Sequence, residues 1–190
     1  MTNATVPMVK KSFTISQALR RLKVVKGDLA KHGSRASQGV SYRKEDRKPT
    51  YEFQAERAAR AAAQEEMILL ETGIARANAL TLVSFEGREL PIAEAIRRLQ
   101  EFKANIAWYG GLSTREGEEK ESYHEYDASL ARHVTKERPC TYVCELPERG
   151  RDAVVEALQV QFQTLNDVVE TANHVTRFEV ELPAPSLPAG

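Results

Sequence analysis

Ile15-Ser16-Gln17-Ala18-Leu19-Arg20-Arg21-Leu22 returns as Ile92-Ala93-Glu94-Ala95-Ile96-Arg97-Arg98-Leu99, at an offset of 77 residues. The match continues through Lys26 over Lys103 and Leu29 over Ile106. A second pair matches at an offset of 95, with Ala77-Asn78-Ala79-Leu80-Thr81 over Ala172-Asn173-His174-Val175-Thr176. Between them lies a weaker match of Pro49–Phe53 to Pro139–Cys144, one residue longer in the second copy. Three matches in one order predict a duplicated unit, residues 13–85 and 90–182, with copies that differ mainly in loop length.

Each copy reads as helix, loop, short strand, long helix, short strand. The first helix opens on the capping-box spacing Thr14-x-x-Gln17, and Ile15, Ala18, Leu19, Leu22, Val25 and Leu29 follow helical spacing. Its end is expected near His32-Gly33, where glycine suits a left-handed cap. In the second copy Pro91 suits a first-turn position and Gly110-Gly111 closes the helix. Long helices are expected over about 54–79 and 151–173, followed by strands over Leu82–Phe85 and Arg177–Leu182. Glu86-Gly87-Arg88 reads as a turn joining the copies, and 34–48 and 113–138 read as polar loops. Residues 1–12 are expected to be a flexible N-terminus and 183–190 a disordered, proline-rich tail. The expected fold is mainly α: two antiparallel helical hairpins with short strands, related by a pseudo-twofold axis, in one duplicated domain.

Composition narrows the function classes. The 190 residues carry 27 Lys plus Arg against 27 Asp plus Glu. A net charge of zero argues against broad binding to nucleic acid polymers or anionic membranes, which needs a basic excess. Two cysteines, Cys140 and Cys144, make no disulfide framework, and no apolar run reaches the roughly 18 residues of a membrane span. A cytoplasmic protein is expected.

The duplication selects residues. On a helical wheel, Lys26 falls among Ile15, Leu19 and Leu22, and Lys103 among Ile92, Leu99 and Ile106. Asn78 and Asn173 fall beside Ile74 and Val169. Each copy is thus expected to turn one lysine and one asparagine inward. An unpaired buried ammonium is costly, so each lysine calls for an anion, an acceptor or water. The lysines can instead lift their charge to solvent, and the asparagines can cap the turn to the next strand with Thr81 and Thr176. The sharper reading is a polar pocket. In it Lys26, Lys103, Arg20, Arg21, Arg97 and Arg98 receive an anion, Tyr51 and Tyr142 stack or donate hydrogen bonds, and Asn78 and Asn173 complete the lining. Trp108 and Tyr109 are further stacking candidates, although core packing suits such rings too. Cys140, Cys144, His124 and His133 are of zinc-binding type, but C-x3-C with H-x8-H matches no standard site, and no metal or cofactor is expected. No nucleophile elbow, phosphate-binding glycine loop or H-E-x-x-H helix occurs, so an enzyme has little support.

The leading segment Ile15–Arg21 and the closing segment Leu158–Thr176 resemble the septicolysin-like family of small helical bacterial and bacteriophage proteins. In that family an Ala-Leu-x-x-Arg pattern marks the first helix, and Asn, an aromatic residue and Thr end the last. Asn173 matches, while His174 stands where the family often has Trp. The resemblance implies a helical homo-oligomer rather than an enzyme. Occurrence in phage genomes implies sequestration of a small anionic, nucleotide-like ligand. The alternatives are a protein-interaction scaffold without a small-molecule ligand and a metal-dependent hydrolase using the 113–138 segment.

Overall fold

Thr14 starts the first helix as its spacing predicts. The Thr14 amide donates to the Gln17 side chain at 2.9 Å, and the Gln17 amide donates to the Thr14 hydroxyl at 3.2 Å. A computed structural model describes residues 8–43, 45 and 50–183. The order is β1 (Met8–Thr14), α1 (Ile15–Gly39), α2 (Phe53–Leu80), β2 (Leu82–Phe85), β3 (Arg88–Pro91), α3 (Ile92–Gly110), β4 (Gly117–Asp127), β5 (Arg132–Tyr142), α4 (Glu148–Val175) and β6 (Arg177–Pro183). The chain divides into two compact units, residues 1–97 with 165–190, and residues 98–164.

In the first unit α1 and α2 lie side by side and antiparallel, as the pairs Arg21–Glu66 and His32–Glu56 require. Ile15, Ala18, Val25 and Ala36 are buried from α1, and Leu70, Ile74 and Ala77 from α2. β1 and β6 form an antiparallel ladder from Met8↔Pro183 to Thr14↔Arg177. β6 buries Val180 and Leu182 and leaves Arg177, Glu179 and Glu181 exposed. β2 and β3 form a hairpin whose two turn residues, Glu86 and Gly87, both have positive φ (50° and 74°), the twist a two-residue hairpin favours. Two backbone bonds tie helix ends to helix starts: Ile92 donates to the Thr81 carbonyl at 2.9 Å, and Ile15 to that of Thr176 at 3.3 Å.

In the second unit β4 and β5 form an eleven-residue antiparallel ladder from Gly117↔Tyr142 to Asp127↔Arg132. Asp127 holds the turn: its Oδ1 accepts from the Ser129 amide at 2.9 Å, the Ser129 hydroxyl at 2.5 Å and the Leu130 amide at 3.3 Å.

These strands overturn the expectation of a mainly α fold built from two helical hairpins. Among the described residues 58% are helix and 26% strand, in four helices and three two-stranded antiparallel sheets, an α/β mix. The physical reason is legible in β4 and β5. Their ladder is laced by Arg138–Glu121 at 2.8 Å, Lys136–Glu125 at 3.0 Å and Lys120–Glu137 at 3.6 Å, so both faces are polar and no apolar alternation marks them as strands. They occupy most of the stretch read as a 113–138 loop. Residues 8–12, read as part of a flexible terminus, pair with β6. Residues 1–7 and 184–190 lie outside the described residues. The short strand expected between the first loop and the long helix of the first copy is not formed by Tyr51–Phe53: Phe53 opens α2, and Pro49 lies outside the described residues. α1 also runs six residues past Gly33. His32 Nδ1 lies 2.6 Å from Glu56 Oε2, and Ala36 is buried beyond it, so tertiary docking overrides the expected glycine cap.

Candidate functional site

The two lysines point away from the roles their spacing suggests. The Lys26 side chain is 53% exposed and pairs with Glu71 at 2.8 Å. The buried stripe of α1 runs through Ile15, Ala18, Val25 and Ala36, centred roughly 60–80° round the helix from the Leu19–Lys26 side. Leu19, which drew the expected stripe towards Lys26, is itself 45% exposed. Lys103 is also exposed, its ammonium 5.2 Å from the Phe162 ring centroid. Arg21 is held by both oxygens of Glu66, through Nε at 2.6 Å and Nη2 at 2.8 Å. That hydrogen bonding leads the causes that raise its pKa further above the ordinary arginine value. Arg20 is exposed, while Arg97 and Arg98 are both engaged.

The rings are engaged by other arginines. Arg35 lies over Tyr51 at 4.6 Å in the first unit, and Arg115 over Tyr142 at 4.6 Å in the second. The Tyr142 hydroxyl accepts from Arg115 Nη1 at 3.2 Å, and its pKa is raised chiefly by hydrogen bonding with Cys140. Asn78 and Asn173 keep buried Oδ1 atoms with no hydrogen-bond partner among the described residues. Cys140 and Cys144 are free thiols that donate to the carbonyls of Glu119 and Leu146. Among the described residues no group of three or more His, Cys, Asp or Glu could hold a metal ion.

A different set of residues shapes a cleft of about 490 Å³ in the first unit, between the second half of α2 and β6. Leu69, Gly73 and Ala77 supply the α2 wall at helical spacing, and Phe178 and Val180 supply the β6 wall. Glycine is required at 73. A Cβ there would lie 2.7 Å from Phe178 Cε2 and 2.8 Å from Val180 Cγ2. Thr72, Thr81 and Thr176 bring hydroxyls to the same space. Thr81 and Thr176 arrive because each follows a helix end, donating its amide at 2.9 Å to Ala77 and Ala172 respectively.

Arg76 and Arg177 also line this cleft, and neither meets a carboxylate among the described residues. Lys10 at the margin stands 4.0 Å from Glu181, its register partner, so these two offset each other. With Glu179 the remaining lining charge is one positive unit. The arrangement can take a small anion bearing an apolar ring: two guanidinium forks, three hydroxyls and an apolar wall in a volume usual for small-ligand sites. Sequence reading missed both arginines because it weighted residues that recur. At the 95-residue offset Arg76 stands over Thr171 and Arg177 over Leu82, so neither is duplicated. Their position beside the matched Asn-x-x-Thr segments was the available signal.

The chain shares its fold with a functionally unknown conserved protein from Corynebacterium diphtheriae. The two are 14% identical, with a TM-score of 0.63, and the likeness covers 88% of this chain and 99% of that one. No family model and no curated protein matches the sequence. At that identity the likeness carries fold and not chemistry. Among the described residues no helix is long and apolar enough to cross a membrane.

Proposed function

We propose that this protein is a non-enzymatic binding protein that sequesters a small anionic, nucleotide-like ligand in the α2–β6 cleft. The observation that carries the reading is the pair Arg76 and Arg177, two guanidinium groups free of carboxylate partners on one cleft with an apolar wall. Phosphate oxygens take the forks and the threonine hydroxyls, while a base or ring lies against Phe178 and Leu69. Two free thiols suit a reducing cytoplasm as the place where this happens. The resemblance to septicolysin-like proteins supports the same reading, since its closing motif ends at Thr176, which lines the cleft.

Calorimetry with AMP tests it. Wild-type protein binds AMP, and Arg76→Gln or Arg177→Gln each weakens binding about tenfold or more, the loss of one charge-assisted hydrogen-bonding group. Lys26→Gln leaves affinity unchanged, because Lys26 is already paired with Glu71. Absence of binding, or wild-type affinity in both arginine variants, would sink the assignment of the cleft.

A further inference from the structure

The β4–β5 arm has the features of an incomplete sheet. Its strands are eleven residues long, and among the described residues no third strand pairs with either edge. A two-stranded hairpin is marginal in water on its own, and a long open edge is a template for another strand. The 98–164 unit supplies little support from within: Leu99 is its one buried hydrophobic residue. Tyr126 and Leu130 on the arm remain more than half exposed.

Charge identifies what completes it. β4 carries five carboxylates against Lys120, a net charge of −4, and β5 carries three cations against Glu137, a net charge of +2. Pairing β4 with another β4 sets acid beside acid, and β5 with β5 sets cation beside cation. Only β4 against β5 is complementary, as the three ladder ion pairs inside the arm already demonstrate at 2.8–3.6 Å. The sequence that supplies such a β4 is this chain itself.

We propose that the outer edge of β5 in one copy pairs with the outer edge of β4 in a second copy of this chain, joining copies head to tail into a closed ring. A heterologous contact of this kind makes a ring of three or more copies where its rotation closes and an open filament where it does not, in place of an isologous dimer. Pro139 sets the phase of the edge. It has no N–H, and proline sits in a strand where that side faces away from the ladder. Residues of the same phase, Thr135 and Glu137 on β5 with their register partners His124 and Ser122 on β4, then direct their backbone groups outward. The inference stands apart from the ligand reading, since it involves only the 98–164 unit.

The test is light-scattering mass of the full chain and two variants, Ser122→Pro and Thr135→Pro. Each removes one outward donor, from β4 and β5 respectively, and spares the bonds within the arm. Wild type runs at three or more times the 21.3 kDa chain mass, and each variant alone runs as a monomer. An equal mixture of the two runs as a dimer, because one intact β5 edge meets one intact β4 edge. A monomeric wild type, a variant that keeps the ring mass, or a mixture that stays monomeric overturns the proposal. Should far-UV circular dichroism show that the prolines unfold the arm, Arg132→Glu decides. Arg132 makes no ion pair among the described residues, so its reversal should weaken assembly about tenfold, as should raising salt from about 0.1 to 1 M. A ring indifferent to both is not held by these edges.

Discussion

The amide of Ile92 donates to the carbonyl of Thr81 at 2.9 Å, fastening the start of α3 to the end of α2. Ile15 makes the corresponding bond to Thr176 at 3.3 Å, and the two bonds are related by the sequence offsets of 77 and 95. Behind each bond the isoleucine side chain is fully buried, at 0% and 1% exposure. Ile92→Ala and Ile15→Ala should each cost about 2–5 kcal/mol, the range for a truncated, fully buried aliphatic residue. Leu19→Ala, in the same helix as Ile15 but 45% exposed, should cost under about 1 kcal/mol. Urea denaturation of the three variants checks this; similar costs for Leu19 and Ile15 would misplace the buried face of α1.

Two helical glycines should respond to alanine with opposite signs. Gly27 in α1 has no atom within 4 Å of an added Cβ, so Gly27→Ala should stabilise by about 0.5–1 kcal/mol through helix propensity. Gly73 in α2 has Phe178 at 2.7 Å and Val180 at 2.8 Å, so the propensity gain is outweighed by overpacking of about 1–3 kcal/mol. Melting temperatures should therefore rise for the first and fall for the second. A rise in both would mean that β6 yields freely and the cleft wall is soft.

The helices were legible because packing repeats their period. Ile15, Ala18 and Val25 mark one face of α1, and the Thr14–Gln17 box marks its start. β2 and β6 were legible because Val83, Phe85, Val180 and Leu182 alternate with exposed residues. β1 was not, since only Phe13 and Thr14 in Met8–Thr14 are drawn inward and the rest is held by backbone pairing to a strand far along the chain. β4 and β5 were not, because ion pairs rather than burial hold them together. The candidate site was lost for a related reason. A helical wheel fixes angles between residues but not where the partner lies, so a mistaken centre moved Lys26 into the interior. Arg76 and Arg177 come to line one cleft through the packing of α2 on β6, which no local spacing encodes.

The ion pairs flanking α1 should differ in strength and in tolerance to substitution. Arg21 makes a two-pronged contact to Glu66, whereas Lys26 meets Glu71 with a single ammonium on more exposed side chains. After allowance for solvent screening, a double-mutant cycle should give up to about 1 kcal/mol for Arg21–Glu66 and about 0.3 kcal/mol for Lys26–Glu71. Arg21→Lys should lose most of its coupling, since an ammonium cannot reproduce the fork, and Lys26→Arg should lose none. The reverse order would show that the fork does not persist in solution.

Asp127 gives the β4–β5 turn a defined acid response. Its carboxylate accepts a hydrogen bond from the Ser129 hydroxyl, the largest cause, and from the Ser129 and Leu130 amides, which together hold its pKa below the usual aspartate range. Because the folded value is depressed, the stabilisation is present above the unfolded value of about 3.9 and is lost as pH falls through the folded value. Carboxyl-carbon NMR should give Asp127 a midpoint below that of a free aspartate, and Ser129→Ala should move it upward. A midpoint at the ordinary value would mean the turn is open in solution.

Asn78 and Asn173 stand at matched positions, three residues before Thr81 and Thr176, and each buries an Oδ1 without a donor among the described residues. A buried acceptor left unpaired costs about 1–3 kcal/mol, and alanine is the better helix former at both sites. Asn78→Ala and Asn173→Ala should therefore raise the stability of ligand-free protein by about 1 kcal/mol each, measured by chemical denaturation. Neither residue lines the α2–β6 cleft, so AMP affinity should stay at the wild-type value in both variants. A drop in affinity accompanying the gain in stability would return the two asparagines to the ligand, as polar groups kept at a cost to the fold. A loss of stability would mean instead that each carbonyl oxygen finds a donor in solution and that the pair is structural.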